Sequence, residues 1–325
     1  MKLAIIGTGM IVGEALKALK FIPSIKVTAI YVRPGSLEKT RTLIETYQIK
    51  EVYTDYDELL RECYADFVYV GNVNSVHYEY GRKALLSGKH VIMEKPMCVT
   101  HEEASDLMQL AIAKRRYVFE AVTFLHAPFF RLIRERLTEL GNIRLVQCNY
   151  SKYSSRYDRY LKGDVAPAFS PEHAGGALMD LNVYNLNFVV ALFGKPMKTF
   201  YAAHRGFNGI DTSGTVLMAY GNFTATCTAA KDSYSPCFFM VQGEKGWLRV
   251  NGSPDDLSYM EIGIDGKVEK ISIETEGHRM VDEFQDFYRM YHDGCYDEMK
   301  QYLQNSVDIA ATVDEAQQSL RALPI

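Results

Sequence analysis

The stretch KLAIIGTGMIVG, residues 2–13, decides the fold. Residues 2–6 have the length and apolar character of a short strand. Residues 10–20 carry a helical pattern, with Ile11, Ala15, Ala18 and Leu19 near one face. Between them stand Gly7, Thr8 and Gly9. A glycine turn joining a strand to a helix supplies a tight bend at Gly7 and a position without a side chain at Gly9. Backbone N–H groups and the helix N-terminus can then hold a pyrophosphate. Gly7, Thr8, Gly9, Met10 and Ile11 are therefore candidate cofactor contacts. The third glycine of the full pattern would fall at position 12, which is valine; Gly13 comes one residue late.

Outward from this stretch the alternation continues. Strands are expected at 26–32, 49–53, 66–70, 90–93 and 117–122, and helices at 36–48, 57–61, 76–86 and 100–113. Short connections between them imply a parallel sheet with helices on both faces, whose ligand crevice lies beyond the C-terminal strand ends. Past residue 122 the character changes. A helix at 127–140 precedes candidate strands at 143–150, 197–204, 213–220, 223–229, 237–242, 246–250 and 268–273. Turn signals such as QGEKG (242–246) and NGSP (251–254) separate several of them. The expected fold class is α/β: a Rossmann domain over 1–122, then an α+β domain over 123–325 with a large, mostly antiparallel open sheet. Helical stretches at 177–193 and about 278–293 interrupt that sheet, and a last helix at about 302–320 packs back on the first domain.

The chain has 325 residues, 47% of them hydrophobic, enough for two cores. A net charge of −4 supplies no bulk basic field, so neither nucleic acid nor an anionic membrane is an expected partner. The apolar start is broken early by glycines and no small-residue cleavage pattern follows, so it is not read as a signal peptide. No run of about 18 uncharged apolar residues is present, and no membrane span is expected. The six cysteines are scattered, with no C-x-x-C; no metal is expected, and a reducing, cytoplasmic location is.

The second strand ends at AIYVR, residues 29–33, with no acidic residue to hold a ribose; the nearest downstream is Glu38. Arg33 instead suits a 2′-phosphate, as a charge-assisted donor and a stacking plane. NADP is the expected cofactor, with NAD the alternative.

GKHVIMEKP (88–96) runs a buried strand into Glu94, Lys95 and Pro96. It closely resembles the signature of the glucose–fructose oxidoreductase, inositol dehydrogenase and MocA group. NVNSVHY (72–78) resembles that family's cofactor-contacting loop, and GGALMDLNVYNLN (175–187) its glycine-rich turn and active-site helix. The pieces stand in family order and at family distances, so the resemblance spans nearly the whole chain. It implies that Lys95 lies beside nicotinamide and substrate, with Pro96 shaping the backbone, often through a cis peptide, and Glu94 bracing the site. It maps Asn72, Asn74 and His77 to the nucleotide loop and helix start, His77 as a structural or cofactor-neighbouring group. Asp180 and Tyr184, four apart on one helix, share a face.

The family usually has histidine where this chain has Tyr184. Tyrosine occurs in the branch resembling dihydrodiol and xylose dehydrogenases, which is associated with NADP. A phenol, ordinarily near pKa 10, moves a proton more easily beside a lysine ammonium. The resemblance thus implies hydride transfer to or from a sugar, polyol or related hydroxy/carbonyl compound. Lys95 and Tyr184 would be the catalytic pair, with Asp180 orienting substrate hydroxyls or Lys95. EAVTFLHAP (120–128) departs from that branch: Leu125 stands where an arginine is common. His126 beside it, and His173 before the glycine turn, are further substrate-side candidates. Family members commonly pair through the second-domain sheet, so a homodimer or homotetramer is expected. Two other readings remain open at this stage: a catalytically silent nucleotide sensor, and an isomerase or lyase using transient oxidation.

Replacing Arg33 with alanine should weaken NADP binding about tenfold more than NAD binding, the size of a lost charge-assisted contact. Titration of both cofactors against both proteins decides it; equal losses, or an original preference for NAD, remove the assignment.

Overall fold

The computed structural model describes residues 1–273 and 277–322. They fall into two compact units, Met1–Ala121 with Glu276–Val307, and Val122–Thr275 with Asp308–Ile325. The expected division put 123–325 in one second domain. The boundary near 122 lies one residue away, but residues 277–307 fall in the first unit.

In the first unit β1 (Lys2–Ile6), α1 (Met10–Leu19), β2 (Lys26–Tyr31), α2 (Leu37–Thr46), β3 (Glu51–Tyr53) and α3 (Tyr56–Glu62) follow one another. Then come β4 (Phe67–Val70), α4 (His77–Leu86), β5 (His90–Glu94), α5 (His101–Lys114) and β6 (Val118–Ala121). The strands pair in parallel in the order β3-β2-β1-β4-β5-β6. The order reverses between β1 and β4, which puts a ligand crevice beyond their C-terminal ends. Residues 3–6 and 67–70 are wholly buried, as strands covered on both faces must be.

The second unit contains α6 (Pro128–Arg136), β7 (Ile143–Ser151), α7 (Tyr157–Leu161), α8 (Val183–Phe193), β8 (Lys198–Arg205), β9 (Asp211–Ala219) and β10 (Thr224–Ala230). It continues through β11 (Phe238–Gly243), β12 (Gly246–Ser253), β13 (Asp256–Ile264) and β14 (Lys267–Ser272). The sheet order is β14-β13-β12-β11-β7-β10-β9-β8. Its pairs are antiparallel except β7 with β10. The sequence reading lacked β13, whose polar first half hides the inward alternation of Met260 and Ile262. One face packs under α6 and α8, where the Phe188 and Phe239 rings stack 4.3 Å apart. On the other, Phe200, Leu217 and Leu145 stand exposed within the unit. Residues 171–193 are long and apolar enough to cross a bilayer by length and composition alone, yet 67% of that window is buried inside the protein, as in a core helix.

α9 (Val281–His292) belongs to the first unit for a packing reason. Phe287 stacks on Phe119 of β6 at 4.6 Å, and Phe284 approaches Tyr69 of β4 at 5.9 Å. Tyr291 meets Phe67, His90 and Tyr117 edge-on. α10 (Tyr296–Ala322) starts six residues before the expected helix, and its residues up to Val307 count with the first unit.

Burial, and next the Arg116 charge, push the His90 imidazole down to about 4. Its Nδ1 accepts the Tyr117 N–H at 2.8 Å, which only the neutral ring can do. A base with a folded pKa below its unfolded value near 6.5 stabilises the protein above that value, and the contribution is lost as pH falls toward 4. Partial exposure holds the effect to on the order of 2 kcal/mol. In urea unfolding at pH 7 and pH 4.5, wild type should lose about that much more stability than His90→Gln; parallel losses would contradict it.

Candidate active site

In the first unit the site grows from the glycine turn. Gly7 has φ +111°, a region L side chains rarely enter. A Cβ there would stand 2.6 Å from Asn72 Oδ1 and 2.7 Å from the Gly71 carbonyl, so the loops after β1 and β4 touch. Gly9 is the N-cap of α1, which has no side-chain cap and no acidic residue in its first turn. A Cβ on Gly9 would meet no protein atom within 4 Å. Thr8 and Met10 are exposed beside it and Ile11 partly so. This cradle, with a helix N-terminus uncapped by any side chain, fits the pyrophosphate of a dinucleotide. Arg33 is exposed beyond β2. Glu38 pairs with Arg41 at 3.1 Å.

Asn72 and Asn74 are partly exposed after β4. His77, by contrast, is wholly buried at the start of α4. Its Nδ1 lies 2.8 Å from the Pro96 carbonyl and its Nε2 3.1 Å from the Asn72 carbonyl. Burial, its largest influence, pushes the ring below the ordinary histidine range. A neutral ring has one N–H to donate, and the shorter distance is to Pro96. The ring ties the two loops together, so its bearing on a cofactor runs through them.

Lys95 is partly exposed directly after β5, and the Lys95–Pro96 peptide is cis. Around it lies a buried polar shell. The Tyr69 hydroxyl donates to Glu94 at 2.6 Å, and Glu120 accepts the Met97 N–H at 2.8 Å. Burial raises both carboxyls above their usual range; the Tyr69 bond and the Lys95 charge work against this for Glu94.

The second unit builds its own constellation. A Cβ on Gly175 would meet the Pro167 carbonyl oxygen at 2.6 Å, and Gly176, at φ +100°, packs against Asp211. Asp211 accepts the Leu178 N–H at 2.7 Å and the Tyr201 hydroxyl at 2.6 Å. The expected single α-helix here differs in its first turn: Leu178–Asn182 is π-helical before α8 begins. Asp180 sits in this wider turn, a geometry often found at functional sites. Asn182 and Asn185 donate to the Cys227 and Thr228 carbonyls of β10, both at 2.9 Å, and lock the helix to the sheet.

Lys231, just past β10, is 2% exposed and donates to Asp180 Oδ2 at 2.7 Å and to the Ala168 carbonyl at 2.6 Å. Tyr184 is partly exposed, and its ring meets Tyr150 at 5.8 Å, nearly edge-on. The Tyr150 hydroxyl donates to Asp255 at 2.8 Å. Burial, then the Asp255 charge, pushes the Tyr150 phenol far up. Burial alone would raise Asp255, but hydrogen bonds from Ser253 and Tyr150 and the Lys152 charge hold it below the usual range.

Of the weaker candidates, His126 is buried beside a buried Leu125 in the turn Thr123–His126. His173 faces the Ser170 hydroxyl at 3.1 Å. Sequence reasoning passed over Lys231, Tyr150, Asp255, Tyr69 and Glu120. For Lys231 a signal existed: a lysine directly after an apolar strand, as at Lys95.

Residues 1–122 match the family described as "Oxidoreductase family, NAD-binding Rossmann fold", and residues 130–249 match the GFO/IDH/MocA C-terminal domain. The chain is 28% identical to scyllo-inositol 2-dehydrogenase (NADP(+)) IolU of Bacillus subtilis (strain 168), over 98% of this chain and 97% of the relative. It is 33% identical to the uncharacterized oxidoreductase YgjR of Escherichia coli (strain K12), over 77% and 76% of the two chains. It shares its fold with KijD10, a 3-ketoreductase from Actinomadura kijaniata solved with NADP and TDP-benzene. There the TM-score is 0.85 at 22% identity, covering 98% of this chain and 97% of that one.

Gly7→Ala should cost cofactor binding about tenfold or more, since the added Cβ must push Asn72 and the Gly71 carbonyl out of the cradle. Fluorescence titration with NADPH reads it, with circular dichroism to show the fold intact. Unchanged affinity would remove the glycine turn from the cofactor site.

Proposed function

The chain belongs to the GFO/IDH/MocA family of oxidoreductases, and on that premise we propose that it moves a hydride between NADP and a sugar, polyol or related hydroxy/carbonyl compound. The observation that carries the reading is the buried polar shell fixing Glu94 to Met97. Tyr69, His77 and Glu120 hold this segment through buried hydrogen bonds. Polar groups are costly to bury. Here they present one ammonium at the C-terminal end of a parallel strand, where chemistry in such sheets takes place.

Gly7, Gly9 and the first turn of α1 would hold the pyrophosphate, Arg33 the 2′-phosphate, and Asn72 and Asn74 the neighbouring ribose and nicotinamide side. When bound, the nicotinamide supplies the hydride acceptor or donor. The protein's own residues handle the proton. In oxidation Tyr184 would act as the phenolate, taking the alcohol proton and becoming the phenol as the carbinol carbon gives its hydride to the nicotinamide and becomes a carbonyl; in reduction the phenol would return that proton to the forming alkoxide. Lys95 would contribute positive charge and a donor to the substrate oxygen. Asp180 accepts from a substrate hydroxyl and fixes which carbon reacts. The relative's action on scyllo-inositol with NADP supports a vicinal polyol as substrate and NADP as cofactor. We further propose a cytoplasmic homo-oligomer, paired through the outward face of the second-unit sheet.

A panel of scyllo-inositol, myo-inositol, D-glucose and D-xylose, each with NADP and NAD, tests the class by nicotinamide absorbance. Cofactor binding without turnover on any sugar, polyol or diketone would favour a silent sensor.

With an active substrate, Tyr184→Phe should lower single-turnover hydride transfer on the order of 10²-fold and leave cofactor affinity unchanged. Lys95→Met should cut it at least as far, and the double variant should lose less than the two losses combined. Near-normal transfer by a folded, NADP-bound Tyr184→Phe would end the proton-transfer role.

A further inference from the structure

Lys231 is the one lysine among the largest fully buried side chains of the described residues. A buried ammonium needs partners, and the surroundings supply three kinds. The Asp180 carboxylate lies 2.7 Å away and the Ala168 carbonyl 2.6 Å away, while the Phe169 ring face is 4.5 Å from Nζ. Two of these partners, and the Lys231 backbone, are themselves fixed. Ala168 also accepts the Gly176 N–H at 3.1 Å, Phe169 is wholly buried, and the Lys231 backbone N–H is held by the Thr212 carbonyl at 2.8 Å. Asp180 is different: its side chain is 34% exposed, and it sits in the π-helical turn one turn before Tyr184. One end of the ion pair is therefore anchored in the core and the other reaches the surface.

We propose that Lys231 is a positioning residue for Asp180. It holds Oδ2 with a charge-assisted bond and so fixes the rotamer in which the carboxylate would meet a substrate hydroxyl. This rests on the reading of Asp180 as the group that orients the substrate. Stability alone does not call for a carboxylate one-third exposed against a buried lysine, since such a pair is weak support for a fold. A carboxylate that must accept one hydroxyl at one angle does need its rotamer fixed from behind.

The test compares Lys231→Met, Asp180→Asn and the double variant, each as NADP-bound enzyme with the panel polyol of highest kcat/KM. Lys231→Met should raise KM about tenfold, the size of one lost charge-assisted hydrogen bond, with NADP affinity unchanged. Asp180→Asn should do the same, and the double variant should be no worse than Asp180→Asn alone. A wild-type KM in Lys231→Met, or losses that multiply in the double variant, would overturn the proposal. If Asp180→Asn itself keeps wild-type kinetics, the reading of Asp180 has failed instead, and a crystal structure of Lys231→Met then decides the positioning. A displaced or doubled Asp180 carboxylate is expected, and an unmoved one overturns the proposal. Should Lys231→Met not fold, the double variant, which leaves neither charge unpaired, takes its place. A KM matching Asp180→Asn supports the proposal, and a further tenfold rise overturns it.

Discussion

The hydrogen bond from Tyr69 to Glu94, 2.6 Å long and buried, is the contact on which the first unit's candidate site depends. A carboxylate at the end of a covered parallel strand has no water to solvate it, and burial pushes it toward its neutral form. Tyr69 rises from the adjacent strand in register with Ile92, two residues before Glu94, so β4 and β5 carry the two partners diagonally on one face. The next residues are tied as firmly. His77 donates to the Pro96 carbonyl and sets its other ring nitrogen 3.1 Å from the Asn72 carbonyl, and Glu120 on β6 takes the Met97 N–H. Three neighbouring strands and one helix N-terminus thus converge on four residues of backbone. Lys95 is the residue within them that stays partly exposed.

Much of this framework was legible in the sequence because its signals are local. A strand, a glycine turn and a helix in one dozen residues specify their own geometry, and Gly7 does take the positive φ that the tight turn demands. Fully buried strands such as Phe67–Val70 announce themselves as short apolar runs between turn signals. The strand Asp256–Ile264 was missed because an edge-side strand of the second sheet needs only alternate inward residues, and its first inward positions are polar or only partly covered. The assignment of 277–307 to the first unit was not legible either. The helix pattern was plain, but which sheet receives Phe284 and Phe287 is settled by long-range packing on Tyr69 and Phe119.

The same division holds for site residues. Lys95, Asp180 and Tyr184 stand in local motifs, so a sequence can nominate them as candidates. Their supporting partners lie far off in sequence: Lys231 is 51 residues from Asp180, and Asp255 is 105 from Tyr150. The π-helical turn at Leu178–Asn182 likewise leaves no mark in the apolar pattern, since four-residue spacing keeps Asp180 and Tyr184 near one face in either helix type. What the turn changes is backbone hydrogen bonding, and that is fixed by tertiary anchors. The Asp211 carboxylate receives the Leu178 N–H, and the Asn182 and Asn185 amides reach the carbonyls of β10.

The two units solve one problem in the same way. Each delivers a lysine directly after a buried strand, Lys95 after β5 and Lys231 after β10, and each surrounds it with groups that are themselves held. The outcomes differ because the exposure differs. Lys95 keeps part of its surface. Lys231 has almost none, so its charge can act only on what it already touches. Electrostatic preorganisation requires both kinds of group: one that meets the reacting atoms, and one behind it that removes the freedom to turn away. A cation that neither meets a ligand nor restrains a group that does would carry its desolvation cost for nothing, and the contact of Lys231 with a carboxylate one-third exposed is the ground on which we propose it for the second class.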